Sequence, residues 1–213
     1  MDIIWHGHSC FTVKTKEVTI AIDPFKDIGL KEPKLTADIL LVSHEHFDHS
    51  NVDAVKGEPK IVDVPGEYEY FGVMIEGIPT YHDDKEGADR GRNTAFSFKA
   101  GGVHFVHCGD LGHILDNDAV ERIGDVDVLL IPVGGHFTVD AKQAAEIVKQ
   151  LQPRVIVPMH YLVPGLKLDV LKPVDDFIKE VGVQPTRLEK PTWKLKSSDL
   201  PEEESQLVVF PNP

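Results

Sequence analysis

Four potential metal ligands are crowded into one short segment, ADILLVSHEHFDHS at residues 37–50. They are His44, His46, Asp48 and His49, and they directly follow an apolar run typical of the interior of a β-sheet. Imidazoles this close repel one another once charged, and together with a carboxylate they are costly to bury without partners. Divalent cations would remove this cost, because neutral imidazoles and carboxylates bind zinc and also manganese or iron. The non-functional alternative is a histidine-rich surface loop, which the preceding apolar run disfavours.

The spacing of the motif indicates how two cations could be shared. Alternate residues of an extended segment point the same way, so His44 and His46 can bind one cation. A short helix is expected around residues 51–57, and the turn towards it lets Asp48 and His49 face a second site. Glu45 and Phe47 are expected to act as spacers that point away.

Further potential ligands follow other apolar runs along the chain. They are Asp23 after VTIAI, His82 after the expected turn GIPTY, Asp110 after GGVHFVHCG, and His160 after PRVIVPM. Side chains at strand ends are held by the sheet while the adjoining loops leave space for a substrate. The repetition therefore predicts several strands that deliver ligands to one edge of a sheet.

The elements that must position these side chains are mostly strands. Apolar or alternating runs punctuated by Gly and Pro predict strands at 3–5, 10–14, 18–23, 38–43, 60–64, 94–100, 103–108, 127–133, 154–159 and 207–210. Helices are predicted at 140–151, with Asp140 as N-cap, and at 172–182, with Pro173 in the first turn and Gly182 as the stop. A shorter one is expected over DNDAVERI. The fold class is therefore α+β (or α/β), and residues 1–213 are expected to form one domain.

Composition narrows the functional classes. The 213 residues carry a formal net charge of −13, which disfavours nonspecific binding of nucleic acid. No run of eighteen apolar residues predicts a membrane span, and the N-terminus does not resemble a signal peptide. Cys10 and Cys108 are far apart and outside any CxxC motif, so free thiols and a cytoplasmic location are expected.

SHEHFDH resembles the H-x-H-x-D-H signature of the metallo-β-lactamase-fold hydrolases. The segments WHGHSCF at 5–11, GDLGH at 109–113, PVGGHFTVDAKQA at 132–144 and VIVPMHY at 155–161 resemble a compact branch similar to ascorbate-6-phosphate lactonase. This resemblance covers nearly the whole chain. It implies a four-layer αββα sandwich with the metals at one end of the two sheets.

The resemblance also implies roles for individual residues. It places His44, His46 and His82 on a first metal, Asp48, His49 and His160 on a second, and Asp110 between the two. Asp23 would orient a metal-bound histidine by hydrogen bonding, and His8 is a candidate for similar support or for a purely structural role.

The expected reaction is hydrolysis by a hydroxide that bridges two divalent metal ions. Zn²⁺ is the default for this ligand set, with Mn²⁺, Ni²⁺ or Fe²⁺ as alternatives. Asp48 is the candidate catalytic residue, since it could orient the attacking water or protonate the leaving group. The expected substrate is a small polar molecule, neutral or anionic, with an ester, lactone or phosphoester bond. The alternatives are a metal-dependent nuclease and a non-catalytic metal-binding oligomer; a homo-oligomer is expected by analogy alone.

Three residues near the expected metal edge are candidates for substrate binding. His113 and His136 lie in Gly-containing loops and could donate a hydrogen bond to an oxyanion or leaving group. Lys85, Arg90 and Arg92 follow His82, and an arginine here, Arg92 in particular, could bind a phosphate or carboxylate. The alternative for each histidine is a surface role, and for the segment it is a mixed-charge solvated loop.

Overall fold

Two β-sheets contain most of the regular secondary structure in the computed structural model, which describes residues 1–213. The strands β1 to β16 are Asp2–Gly7, Cys10–Lys14, Thr19–Ile22, Leu35–Thr36, Ile39–Leu41, Val55–Lys56, Lys60–Val62, Gly66–Tyr70, Val73–Tyr81, Arg92–Ala100, Val103–His107, Val128–Pro132, Val155–Met159, Pro185–Arg187, Thr192–Lys194 and Gln206–Val209. The helices α1 to α3 are Asn117–Ile123, Ala141–Leu151 and Val174–Val181. Two 3-10 helices occupy Val52–Ala54 and Ser197–Asp199.

The two large sheets are mixed. Six strands form one sheet in the order β15-β1-β2-β3-β5-β7, and eight form the other in the order β14-β16-β13-β12-β11-β10-β9-β8. Strands β3, β5 and β7 run parallel in the first sheet, as do β11, β12, β13 and β16 in the second. The remaining pair, β4 and β6, is separate. This is the expected α+β sandwich of metallo-β-lactamase type.

The core is one cluster of 62 buried hydrophobic residues drawn from both sheets. All five residues of β12 (VLLIP) and of β13 (VIVPM) are buried. Parallel strands covered on both faces have such continuous apolar runs, which explains why these strands were predictable from the sequence. Helices α1 and α2 lie in the connections between these parallel strands, and α3 follows β13.

The helix ends match their sequence signals. Asp140 caps α2 by accepting the Lys142 and Gln143 backbone N–H groups, while Gln143 bonds back to the Asp140 N–H. Helix α3 follows Pro173, which is the N-cap rather than a first-turn residue, and stops at Gly182 in the left-handed conformation. The expected short helix at DNDAVERI is α1.

Two local predictions were wrong. Residues 51–57 form only a one-turn 3-10 helix followed by β6, and not the expected α-helix. GIPTY is not a turn, because residues 77–81 are the second half of the nine-residue strand β9. The short strands β4 and β6 and the strands β8, β14 and β15 were not predicted.

Candidate metal centre

Each predicted ligand follows a strand that ends at the same edge of the molecule. Asp23 follows β3, His44 to His49 lie after β5, and His82 follows β9. Asp110 follows β11 and His160 follows β13. Two of these residues leave their strands in the left-handed region, with φ of 46° at Asp23 and 53° at His160. Such conformations are uncommon outside glycine and concentrate at functional sites.

Asp110 lies between the two expected groups of ligands. Its Oδ2 is 3.1 Å from His82 Nε2 and 3.2 Å from His160 Nε2. Its Oδ1 is 3.1 Å from His49 Nε2. One buried carboxylate thus faces imidazoles from three separate segments of the chain.

The first group is His44, His46 and His82, whose nitrogen atoms lie within 4.8 Å of one another. His44 Nε2 is 3.0 Å from His46 Nδ1. His44 and His82 are buried, whereas His46 is exposed. This group therefore opens towards solvent on the His46 side.

The second group is Asp48, His49 and His160, joined by His8. All four residues are buried, and their ligand atoms also lie within 4.8 Å of one another. His8 Nε2 is 3.1 Å from Asp48 Oδ2. His8 was expected to act by hydrogen bonding, and this contact fits that role, although its ring also lies within reach of the same cation.

Unpartnered atoms at this centre fit bound cations. His49 Nε2, Asp110 Oδ1 and both ring nitrogens of His160 are buried and make no hydrogen bond, although the short distances above bring them close to one another. Two ligands of a tetrahedral cation, each about 2.1 Å from it, lie roughly 3.4 Å apart. Close nitrogen and oxygen atoms without hydrogen-bond alignment are therefore the arrangement that a shared metal ion produces.

The electrostatics of the first ligand group favour neutral imidazoles. Burial lowers the pKa of His44 to about 3, and burial also lowers the pKa of His46. Both rings are therefore neutral near pH 7 and available to a cation without first losing a proton.

The second group instead attracts positive charge. Burial alone lowers the pKa of His49, but the carboxylates of Asp110, Asp23 and Asp48 raise it well above its usual value. Burial raises the pKa of Asp110, yet His160 and His49 hold it well below its usual range. The carboxylates around His49 thus create a field that a divalent cation would satisfy.

Asp23 contacts one expected ligand, His49, directly and another, His44, through Ser43. It accepts a hydrogen bond from His49 Nδ1 (2.9 Å), from the Ser43 N–H (2.8 Å) and from Ser43 Oγ (2.7 Å). Ser43 Oγ in turn lies 2.9 Å from His44 Nδ1. When Nδ1 donates in both histidines, their Nε2 atoms are left free to bind metal.

Sequence reasoning did not single out Asn93 of β10, which fixes the Asp110 loop. Its buried side chain donates to Thr80 Oγ1 and to the Cys108 carbonyl, and its Oδ1 accepts the Asp110 N–H. His107 supports the same turn, because it donates to the Ser9 carbonyl and accepts the Gly109 N–H. A buried asparagine in a strand is a weak signal, since nothing local shows what it bonds.

Two motif glycines are explained by close backbone packing. A Cβ on Gly112 would lie 2.3 Å from the Asp83 nitrogen, and one on Gly134 would lie 2.1 Å from the His160 carbonyl oxygen. Only glycine allows the GDLGH and PVGG loops to pack directly against the backbone that carries His82 and His160.

The three candidate substrate-binding residues differ in position. His113 uses both ring nitrogens, Nδ1 with the Ile114 carbonyl and Nε2 with the Tyr81 N–H, so its bonding favours a structural role. His136 is exposed and packs edge-on against Phe137. Arg92 lies in a neighbouring cavity of about 800 Å³ that borders His44 and His46. Substrate binding by each of them stays a prediction.

The metal centre opens into a cavity of about 700 Å³. Its wall contains His46, Asp48, His82 and Asp110 from the centre itself, together with Glu45, Phe47, Asp89, Arg90, Phe137 and Leu168. Cys108 does not line this cavity. Burial raises the pKa of its thiol to about 12, so the thiol is not a nucleophile near neutral pH.

Comparison with known proteins supports this description of the fold. Residues 2–160 match the model of the β-lactamase superfamily domain. A UPF0173 metal-dependent hydrolase from Thermoplasma volcanium is 31% identical over 189 residues, covering 76% of this chain and 83% of that protein. A structure from Thermotoga maritima, described as a Zn-dependent hydrolase of the metallo-β-lactamase superfamily, is 39% identical, with a TM-score of 0.82 over 98% of both chains. Igni18, a metallo hydrolase from Ignicoccus hospitalis, shares the fold, with a TM-score of 0.70 at 24% identity over 92% of this chain and 99% of that one.

The chain therefore belongs to the β-lactamase superfamily. Within that class, its clustered histidines and carboxylates and its relatives make it a metal-dependent hydrolase.

Proposed function

We propose that this hydrolase uses two divalent cations to cleave an ester, lactone or phosphoester bond in a small polar substrate. The position of Asp110 carries this proposal. Its carboxylate is close to His82 of the first ligand group and to His49 and His160 of the second, as a ligand shared by two cations would be. We assign His44, His46 and His82 to one cation and Asp48, His49 and His160 to the other.

Two cations held in this way would supply an activated water and polarise the oxygen under attack. The chain itself would hold the ligands in place through Asp23, Ser43 and Asn93. Zn²⁺ suits the donors best, and Mn²⁺, Ni²⁺ and Fe²⁺ are the alternatives.

Asp48 is proposed to orient the attacking water. Burial raises its pKa, but the hydrogen bond from His8 and the nearby His49 lower it below the usual range, so the carboxylate is ionised at neutral pH. It lines the cavity wall, where an ionised carboxylate accepts a hydrogen bond from water rather than donating one.

The proposed substrate class follows from the cavity and the charge. A volume of about 700 Å³ is within the usual range for small-molecule sites. The net charge of −13 disfavours the nuclease alternative. The cavity, in turn, disfavours a non-catalytic metal-binding protein. A substrate like that of ascorbate-6-phosphate lactonase fits the ester or lactone class.

The location and assembly of the protein are further proposals. Cys10 and Cys108 are buried free thiols, as expected in a reducing compartment, so we place the protein in the cytoplasm. None of its helices combines the length and apolar character needed to cross a membrane. A homo-oligomer stays a prediction, which sedimentation equilibrium would test.

Metal restoration combined with a substrate panel tests the proposed function. The purified protein is stripped with a chelator, reloaded with each metal in turn, and assayed against esters, lactones, phosphomonoesters and phosphodiesters. We expect two metal ions per chain by elemental analysis and hydrolysis of at least one class only after reloading. Two bound ions with no turnover of any class would instead favour the binding protein, and one ion per chain would overturn the binuclear centre.

A further inference from the structure

The wall of the metal-centre cavity has an uneven charge. Glu45, Asp48, Asp89 and Asp110 contribute carboxylates, whereas Arg90 is the one lysine or arginine in that wall. Asp48 and Asp110 face the proposed cations. Arg90 is therefore the one permanently cationic side chain that a substrate meets in this cavity apart from the metals.

The backbone that carries Arg90 is firmly fixed. Asp83, the residue after His82, accepts four backbone N–H groups, from Lys85, Gly87, Asp89 and Arg90, at 2.8–3.0 Å. These bonds hold the pKa of the Asp83 carboxyl, at about 2, below its usual value despite the opposing effect of desolvation. Because the loop is closed on Asp83, Arg90 has a set position relative to His82.

The Arg90 side chain is also held in position without forming an ion pair. Its guanidinium carbon lies 4.9 Å from the centre of the Phe137 ring. The arginine ion pairs of this protein involve Arg122, Arg154 and Arg187, and Arg90 takes part in none. Stacking on an aromatic face restrains a guanidinium while leaving the N–H groups at its edge free to bind an anion.

The other two cationic residues after His82, Lys85 and Arg92, are placed differently from Arg90. Lys85 is exposed and paired with Asp89 at 2.6 Å. Arg92 lies in the adjoining 800 Å³ cavity, which Arg90 also lines. Of the three cations after His82, Arg90 alone lines the cavity that also contains Asp110, and it forms no ion pair.

We propose that Arg90, held against Phe137, recognises a second anionic group of the substrate, a carboxylate or a phosphate, away from the bond that is cleaved. This inference rests on the proposed metal centre and specifies its substrate class. Arg90 then acts as a specificity determinant, because a planar guanidinium can bind either anion through two parallel N–H donors.

Metal-chelating ligands with and without a distal anion test the proposal without the need for turnover. Hydroxamates are bound through the proposed cations, so butyrohydroxamate is the neutral probe, succinic monohydroxamate the carboxylate probe and phosphonoacetohydroxamate the phosphonate probe. Calorimetric titration of the zinc-loaded protein gives each Kd. We expect at least one anionic probe to bind roughly 10-fold tighter than the neutral one, as a charge-assisted hydrogen bond would provide.

Three variants identify the residue responsible. Arg90→Gln should reduce the anionic advantage to within about twofold, and Arg90→Lys should retain part of it, because lysine keeps the charge but loses the planar fork. Lys142→Gln removes the same charge from an exposed residue of α2 outside the cavity and should leave the ratio unchanged. A merely structural role for Arg90 would weaken neutral and anionic probes equally.

The outcomes separate the two proposals. Binding of the neutral probe with no anionic advantage in the wild type, or an advantage that survives Arg90→Gln, would overturn the anion site alone. Failure of butyrohydroxamate to bind the zinc-loaded protein would overturn the metal centre and the anion site with it.

Discussion

The two halves of the metal centre differ in their exposure to solvent. His49 and His160 have no exposed surface, and His8 has 1%. In the other half, His46 is exposed and lies in the walls of both adjoining cavities. The buried half is also the one backed by charge, since Asp23, Asp48 and Asp110 surround His49. One half is therefore part of the folded core, whereas the other half is accessible to solvent and to a substrate.

The largest expected effect of breaking this asymmetry is on stability. We expect His49→Ala to lower the free energy of unfolding of the metal-free protein by about 3–5 kcal/mol, because Asp23 and Asp110 lose their buried partner. Urea denaturation in the presence of a chelator measures it. His46→Ala, in the exposed half, should cost less than about 0.5 kcal/mol, so equal losses in the two variants would contradict the comparison. His49→Gln provides a milder variant if the alanine form does not fold.

Removing the shared ligand should affect both halves at once. We expect Asp110→Asn to reduce kcat/KM at least about 100-fold, since the amide weakens the bonds to both cations. Elemental analysis should find no more than one metal ion per chain. Asp84→Asn, an exposed position near His82, is the matched control and should behave like the wild type. Two retained ions and full activity in Asp110→Asn would remove its bridging role.

Loss of the supporting carboxylate should give a smaller effect. Asp23→Asn should weaken metal affinity about 10–100-fold, because Asp23 orients His49 directly and His44 through Ser43. Competition with a chromophoric chelator measures the affinity, and Asp53→Asn on the exposed 3-10 helix serves as the control. An unchanged affinity would mean that the two histidines keep their orientation without Asp23.

The smallest expected effect is at the exposed spacer of the motif. Phe47 is 57% exposed, so Phe47→Ser should change the free energy of unfolding by no more than about 0.5 kcal/mol. Leu41, fully buried in β5, is the reference, and Leu41→Ala should cost about 2–5 kcal/mol. A loss at Phe47 approaching that at Leu41 would show that the motif is packed more tightly than its exposure indicates.

The sequence predicted the buried half of this comparison better than the open half. Strands β5, β11 and β13 combine long apolar runs with a ligand at the end, so local pattern and position in the fold agree. His82 instead follows β9, where Gly77 and Pro79 resemble turn residues. In the structure, a Cβ on Gly77 would lie 3.0 Å from the Val64 carbonyl oxygen, so this glycine lets β9 pack closely against the bend before β8. This contact depends on the pairing of β8 with β9, and β8 was not predicted.

The local sequence does not distinguish Arg90 from Arg92 as a candidate for anion binding. Both follow His82 in a mixed-charge segment, and only the folded loop around Asp83 decides which side chain enters the metal cavity. The GDLGH and PVGG segments can be identified in the sequence. The need for their glycines is visible only in the fold, where they pack directly against the backbone of Asp83 and His160. The repeated pattern of a strand followed by a potential ligand predicted that these side chains lie at one edge. The direction in which each side chain faces depends on tertiary packing.

The ligands come from both sheets, and this has a consequence for the whole molecule. His44 to His49 extend from the six-stranded sheet, whereas His82, Asp110 and His160 extend from the eight-stranded one. Cations bound between them would join the sheets as a crosslink that forms only in the folded state. By mass action, the apparent melting temperature should then rise with free metal concentration. The availability of metal would therefore set the stability of the fold as well as its activity.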